Sequence, residues 1–286
     1  MIGGCEVETT AKKNRAVMAA ILVVAGLFMI AATPFLVQSA LDPMLQRLME
    51  KAAQDPNYAS GPMLMATFYP LCRALIMVAG VTSILIAYPL WRGENWTWSV
   101  ALTCLAVPAV TGVYMMLPFV SFVKNTFPPV LPLILVGLIG FWAILLLKAS
   151  ERAQRVVDFV VFTLLGITAG GGFVLGFGAM RQLLARPGKP MFINVKMVSL
   201  TIGGPLNWVC ALFVFAAIPL LARRKALGWW LALIGAVSAV VGSVPTYFIS
   251  LSAFYLIGIA TGTILTVTLL LPSVKRRLIG ELAPTA

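Results

Sequence analysis

Few side chains in this 286-residue chain could do chemistry, and their placement limits what that chemistry is. There is no histidine. Bis-histidine haem ligation, a histidine metal site and a histidine proton relay are therefore all outside its reach. The four cysteines, Cys5, Cys72, Cys104 and Cys210, form no CxxC pair, so no zinc or iron–sulfur site is expected on this chain. Nine acids are present, and none lies deep in an apolar run. Coupled pumps place ionisable groups near the bilayer midplane, which this chain does not. One cation is different: Arg73 heads the stretch "RALIMVAGVTSILIAYPLW", and residues 74–91 carry no charge. Tyr69, four residues earlier, would share a face with it on a continuing helix.

Arg73 has two readings. The uncharged run after it covers about 27 Å as a helix, nearly a full hydrocarbon thickness, which puts Arg73 at a membrane boundary. There it could snorkel to lipid phosphate. The preceding "GPMLMATFYPL" is also apolar. If that segment folds back over the helix end, Arg73 is partly buried and needs an acceptor. A quinone carbonyl, a lipid phosphate or a partner's carboxylate would serve.

The elements that carry these residues are membrane spans. The chain is 60% hydrophobic and 10% charged, against about 25% charged in soluble domains. It cannot hide that much apolar surface in its own core. Eight apolar runs are long enough to cross a bilayer, at about 16–36, 73–90, 98–122, 129–147, 159–180, 198–221, 227–248 and 253–271. The fold class expected is all-α and polytopic. No cleavable signal peptide is evident.

The net charge of +12 sits in short clusters between the runs, a topology signal and not a nucleic-acid footprint. Lys12, Lys13 and Arg15 precede the first run; Lys148, Arg152 and Arg155 follow the fourth. Arg223, Arg224 and Lys225 follow the sixth; Lys275, Arg276 and Arg277 follow the eighth. With an even number of spans all four clusters face one side. That predicts a plasma (inner) membrane protein with both termini cytoplasmic. The outer connections are then 42–64 and 181–197. The second carries Arg181, Arg186, Lys189 and Lys196 without an acid, against the charge rule. It could contact lipid phosphate or dock an acidic partner.

An internal repeat is visible. "KKNRAVMAAILVVAGLFMIAA" aligns with "RAQRVVDFVVFTLLGITAGGG", matching Arg15 with Arg155 and Gly26 with Gly166. "YPLWRGENWTWSVAL" echoes "IPLLARRKALGWWLAL". The chain divides into two tandem four-helix units, 1–150 and 151–286, inserted the same way up. In "GITAGGGFVLGFG", Gly166/Gly170 and Gly172/Gly176 each form a GxxxG pair, which predicts a central helix approached closely on two faces. Gly258 and Gly262 offer a similar face.

"YPLCRALIMVAGVTSILIAYPLWRGE" (69–94), "VKNTFPPVLPL" (123–133) and "ARPGKPMFINV…GPLNW" (185–208) together resemble the membrane subunits of molybdenum oxidoreductases, the DMSO reductase anchor and polysulfide reductase (NrfD-like) group. The element order is shifted by one helix relative to that group, and its histidines and buried acids are missing. The resemblance implies a membrane anchor subunit of a respiratory or redox complex, not catalytic alone. It implies a quinone or lipid site near the outer helix ends, at Arg73, Tyr69, Asn207 and Trp208. Partners would be membrane lipid and other subunits docking on 42–64 and 181–197. A facilitator for a small solute and a purely structural subunit are the alternatives.

Overall fold

The structure, a computed structural model, describes residues 3–123, 126–148, 150–184 and 195–280. Among these, α1 runs Gly3–Gln54 and α2 Gly61–Arg92, with one 3₁₀ turn, Pro56–Tyr58, between them. Then come α3 (Asn95–Phe122), α4 (Leu131–Leu147), α5 (Arg152–Leu184) and α6 (Val195–Ala222). The chain closes with α7 (Ala226–Ser250), α8 (Phe254–Leu270) and a short α9 (Pro272–Ile279). No strand occurs among the described residues. The protein is an all-α, multi-pass membrane protein. Six of its helices are long and apolar enough to cross a bilayer, and α8 with α9 makes a seventh if that pair, bent by 78°, counts as one span. The remaining helix, α4, has 17 residues. That is about 25 Å, a little under the hydrocarbon thickness.

The helices form because their backbone groups have no water partner in lipid and must bond within the segment. Large apolar side chains stay on the perimeter: Val24, Phe35, Leu85, Ile139, Leu212 and Val267 are all exposed. In water such a surface would aggregate; in lipid it is the matched face.

Two boundaries differ from the sequence reading. The connection 42–64, read as an outer loop, is mostly helix, because α1 continues across Pro34 and Pro43 to Gln54. And α2 begins at Gly61 and passes through Pro70, so Arg73 lies roughly three turns inside the helix and not at its head. The apolar "GPMLMATFYPL" does not fold back. It continues the helix and packs Leu64, Met65 and Tyr69 into the core. The break expected between the runs 227–248 and 253–271 is found at Leu251, whose φ of 51° ends α7.

Within the first four helices each packs on the next, and α4 returns against α1; α5 to α8 do the same, with α8 against α5. The two groups meet where α3 lies on α5 and α6, and α4 on α5. The α1–α2 hairpin is closed by a reciprocal approach. A Cβ built at Gly26 would lie 2.7 Å from the Gly80 carbonyl oxygen, and one at Gly80 would lie 2.9 Å from the Gly26 oxygen. Gly166, aligned with Gly26 in the sequence comparison, has nothing within 4 Å of its Cβ position. The expected close approach on the Gly166/Gly170 face of α5 is absent, since Gly170 is equally open. The other pair is tight: Gly172 lies against Asn207 and Cys210, and Gly176 against the Trp208 indole.

The four basic clusters gather at one end of the bundle. Asn14 Nδ2 donates to the Leu147 carbonyl at 3.1 Å, and Arg223 Nε donates to Ser99 Oγ at 3.0 Å. Arg277 contacts Glu151 at 3.2 Å, and Lys275 lies 4.8 Å from the Trp229 ring centroid. This is called the basic end below, and the opposite one the far end.

Candidate functional site

Tyr69 and Trp208, 139 positions apart in the chain, are brought into one aromatic cluster. Tyr69 is fully buried, and its hydroxyl donates to the Met115 carbonyl at 2.6 Å. Its ring lies 6.1 Å from Tyr114. Tyr114 in turn packs edge-on against Phe173 (4.9 Å) and Phe177 (4.8 Å) of α5. Trp208 stacks on Phe173 at 6.2 Å and meets Phe68 at 6.0 Å. Its indole Nε1 is buried with no hydrogen-bond partner among the described residues. Such a donor is costly to leave unmade, and it stands out for that reason.

Arg73 and Asn207 are placed elsewhere. Arg73 is half-buried on α2 and makes no hydrogen bond or ion pair among the described residues. The helical pairing of Tyr69 with Arg73 puts them on one helix, but Tyr69 alone turns into the cluster. Asn207 is fully buried in a local α6–α7 network. Its Nδ2 donates to the Gly203 carbonyl at 2.8 Å, and its Oδ1 accepts from Ser243 Oγ at 3.3 Å. Both of its polar atoms are thus occupied.

Next to the aromatic cluster, at the far end, is a cavity of about 370 Å³. It is set between the ends of α3 and α5 and the start of α8, and is capped by the 3₁₀ turn. Tyr58, Tyr114, Phe177 and Tyr255 give it aromatic walls, and Arg181 and Gln182 lie at its edge. Arg181, not Arg73, is the cation here. Its guanidinium lies 4.5 Å from the Tyr58 ring centroid, and Nη1 donates to the Asn57 carbonyl at 3.2 Å. The Arg181 carbonyl accepts from Ser60 Oγ at 2.8 Å. These contacts tie the tip of the α1–α2 hairpin to the end of α5. Volume, apolar walls and a few convergent polar groups are what a small-molecule site requires. A planar guanidinium can hold a carbonyl or phosphate oxygen through two N–H groups.

A second cavity, about 600 Å³, opens at the basic end. It is lined by Arg15, Glu94, Trp96, Lys148, Arg223 and Arg224, among others. Here lies the strongest ion pair in the described structure, which the sequence reading did not anticipate. Asp158 of α5 is nearly fully buried and takes both guanidinium arms of Arg224, at 2.8 and 2.7 Å. Gln154 Nε2 adds a third donor to Asp158 Oδ1 at 2.8 Å. Arg224 has a left-handed φ of 56°, so this turn is shaped to deliver the pair. Asp158 sits one turn past the basic cluster of α5 and reads as an ordinary boundary acid. Only the fold brings Arg224 to it.

Lys148 is the other unusual group of this end. Its Nζ lies 3.4 Å from the Trp98 ring centroid, and it makes no ion pair among the described residues. Its pKa is pushed down to about 8, first by burial and then by Arg224 nearby, with Asp158 opposing the shift. No group of three or more His, Cys, Asp or Glu side chains converges on a metal-sized site among the described residues. Of the second outer connection, Arg186 and Lys189 lie outside the described residues, as does the side chain of Lys196.

Comparison of the chain with family models, curated proteins and solved structures returns no match in any of the three.

Proposed function

We propose that this protein is an integral membrane anchor subunit of a redox complex, with a site for a quinone-class ring at the far end of its helix bundle. The proposal takes α1–α8 as eight crossings in two tandem four-helix units. The basic end is cytoplasmic, and both termini lie there, in the plasma (inner) membrane. The observation that carries the ligand reading is the far-end cavity, with its tyrosine and phenylalanine walls and Arg181 at its edge. An amphipathic ring with a carbonyl on one side is complementary to that lining. Arg181 takes the hydrogen-bond donor role that the sequence reading gave to Arg73. Tyr69 and Trp208 stand behind the wall as packing partners of Tyr114 and Phe173. The resemblance to NrfD-like subunits supports the same reading from the sequence side. Other subunits would dock at the far end, on the hairpin tip and the segment after α5.

Copurification in mild detergent tests the anchor role. A stoichiometric partner carrying a molybdenum or iron–sulfur centre is the expected result. A chain that purifies alone from its own membranes, with no partner at any detergent concentration, contradicts it.

A second reading, a facilitator for a small solute, draws on one observation. The two cavities lie at the two ends of α3, beside the same helix junction. On α3 and α5, Leu102, Leu105, Phe162 and Leu165 are fully buried. Solute flux through the purified protein in liposomes would favour this reading over the anchor.

A further inference from the structure

The basic-end cavity has a neighbour that changes its meaning. A groove of about 470 Å³, with no polar lining, runs between α1 and α4. Val17, Ile21 and Val24 form one wall, and Val136, Ile139 and Ala143 the other. Val17, Val24 and Ile139 are exposed on the perimeter, so the groove faces lipid. The same two helices then carry on into the basic cavity, α1 with Asn14 and Arg15 and α4 with Leu147 and Lys148. The Asn14–Leu147 hydrogen bond joins them at the border. From residue 17 to residue 28 of α1, the groove wall is about 16 Å long, which is about half the hydrocarbon thickness. An apolar slot one leaflet deep thus ends in a pocket of cations.

Those cations are poorly matched by acids. Arg224 is neutralised by Asp158. Glu94, the only acid lining the cavity among the described residues, accepts from Trp96 Nε1 at 2.7 Å. Arg15 lies with its guanidinium where a side chain at Gly93 would be, a space left open because glycine has none, and Gly93 also has a left-handed φ of 88°. Among the described residues Arg15, Lys148 and Arg223 make no ion pair, and the Arg223 guanidinium donates to the Ser99 hydroxyl. Among the described residues, three cations therefore face one engaged carboxylate.

We propose that the α1–α4 groove and the basic cavity form one site for an anionic phospholipid. The acyl chain lies between Val24 and Ile139, and the phosphodiester lies between Arg15 and Lys148. A soluble phosphate would use the cations and leave the groove empty. A zwitterionic lipid would bring a further cation into an already positive pocket.

The test is native mass spectrometry of the delipidated full chain in detergent, titrated with dioleoyl phosphatidylglycerol or dioleoyl phosphatidylcholine. Phosphatidylglycerol should bind more tightly. The double variant Arg15→Gln with Lys148→Gln should lose about thirtyfold in its affinity, the effect of two basic contacts at a membrane surface. Arg15→Lys with Lys148→Arg keeps both charges and should keep most of the binding. Val24→Trp changes an exposed position, so the fold should tolerate it, and it should weaken retention by filling the groove. Equal binding of the two lipids, or unchanged binding in the double glutamine variant, overturns the proposal. So does full retention in Val24→Trp. Displacement of phosphatidylglycerol by millimolar inorganic phosphate would assign the cations to a free phosphate and equally overturn the lipid site.

Discussion

Alanine at Gly170 and alanine at Gly172 should have opposite effects, although the two glycines are two residues apart on the same helix. Both substitutions gain helix propensity, about 1 kcal/mol each. At Gly170 the added methyl meets nothing within 4 Å, so that gain stands. At Gly172 it would lie 2.7 Å from the Asn207 carbonyl oxygen, 3.1 Å from Cys210 Sγ and 3.3 Å from the Ala211 nitrogen. Two of these are backbone atoms of α6 and cannot swing aside. Forcing a methyl into such a contact costs about 1–3 kcal/mol, and the loss of a close backbone approach in lipid adds to it. Gly172→Ala should therefore fall below Gly170→Ala by about 1–3 kcal/mol. The assay is reversible unfolding in mixed dodecyl maltoside and SDS micelles, followed by tryptophan fluorescence. If the two variants move together, or if Gly172→Ala is the more stable, the α5–α6 contact is not as drawn.

Three further outcomes follow from named contacts. Asp158→Asn should destabilise the same unfolding transition by about 2 kcal/mol, below the 3–5 of a fully buried pair because Arg224 retains 27% side-chain exposure; no change would remove this pair from the account. Arg73→Gln and Arg73→Lys should both stay within about 0.5 kcal/mol of the parent, as for surface positions without a partner. A large loss in the glutamine variant alone would mark Arg73 as a snorkelling charge, and a large loss in both variants would restore it as a ligand-holding residue. Lys148 gives a pH effect. Its pKa is lower in the folded chain, about 8, than its ordinary value of 10.5, so between these values the unfolded chain binds more protons. Its contribution to stability must then rise as pH climbs from about 8 to 10.5, and be unfavourable below that window. Arg15, Glu94, Arg223 and the Asp158–Arg224 pair surround the same cavity, so the measurement is a difference. The melting temperature of the parent relative to Lys148→Met should rise between pH 7 and pH 10, and a flat or falling difference would contradict the burial of this ammonium.

The helices were legible because lipid demands apolar runs, and their absence of charge is read directly. The ends of α3, α6, α7 and α8 differ from the sequence reading by three residues or fewer. The end of α1 and the start of α2 were misplaced because polarity marks where lipid stops, not where a helix stops. Gln38, Asp42 and Arg47 are polar yet helical, and Gln38 Nε2 bonds Asp42 at 2.7 Å along the same helix. The glycine spacing of α5 announced close contact but could not say which face has a neighbour. Periodicity gives the angle between Gly170 and Gly172, and only the packing of α6 distinguishes them. The site was harder still. Arg181 looked like one of four cations in an outer loop, and nothing in the chain says that Tyr58 will lie against it. The Asp158–Arg224 pair spans 66 positions, and single-sequence reasoning has no signal for such a contact.

The most direct test of the far-end site uses a tryptophan as its reporter. Of the seven tryptophans, Trp208 is the one in the aromatic cluster beside the cavity. The purified chain in detergent would be titrated with decylubiquinone while tryptophan emission is followed, with Trp208→Phe to isolate that component. The account predicts saturable quenching of the Trp208 component. Arg181→Gln should weaken it about tenfold or more, the effect of one charge-assisted hydrogen bond, and Arg73→Gln should leave it unchanged. Quenching that never saturates, with the same slope in the parent and in Arg181→Gln, would be partition into detergent and would contradict the site.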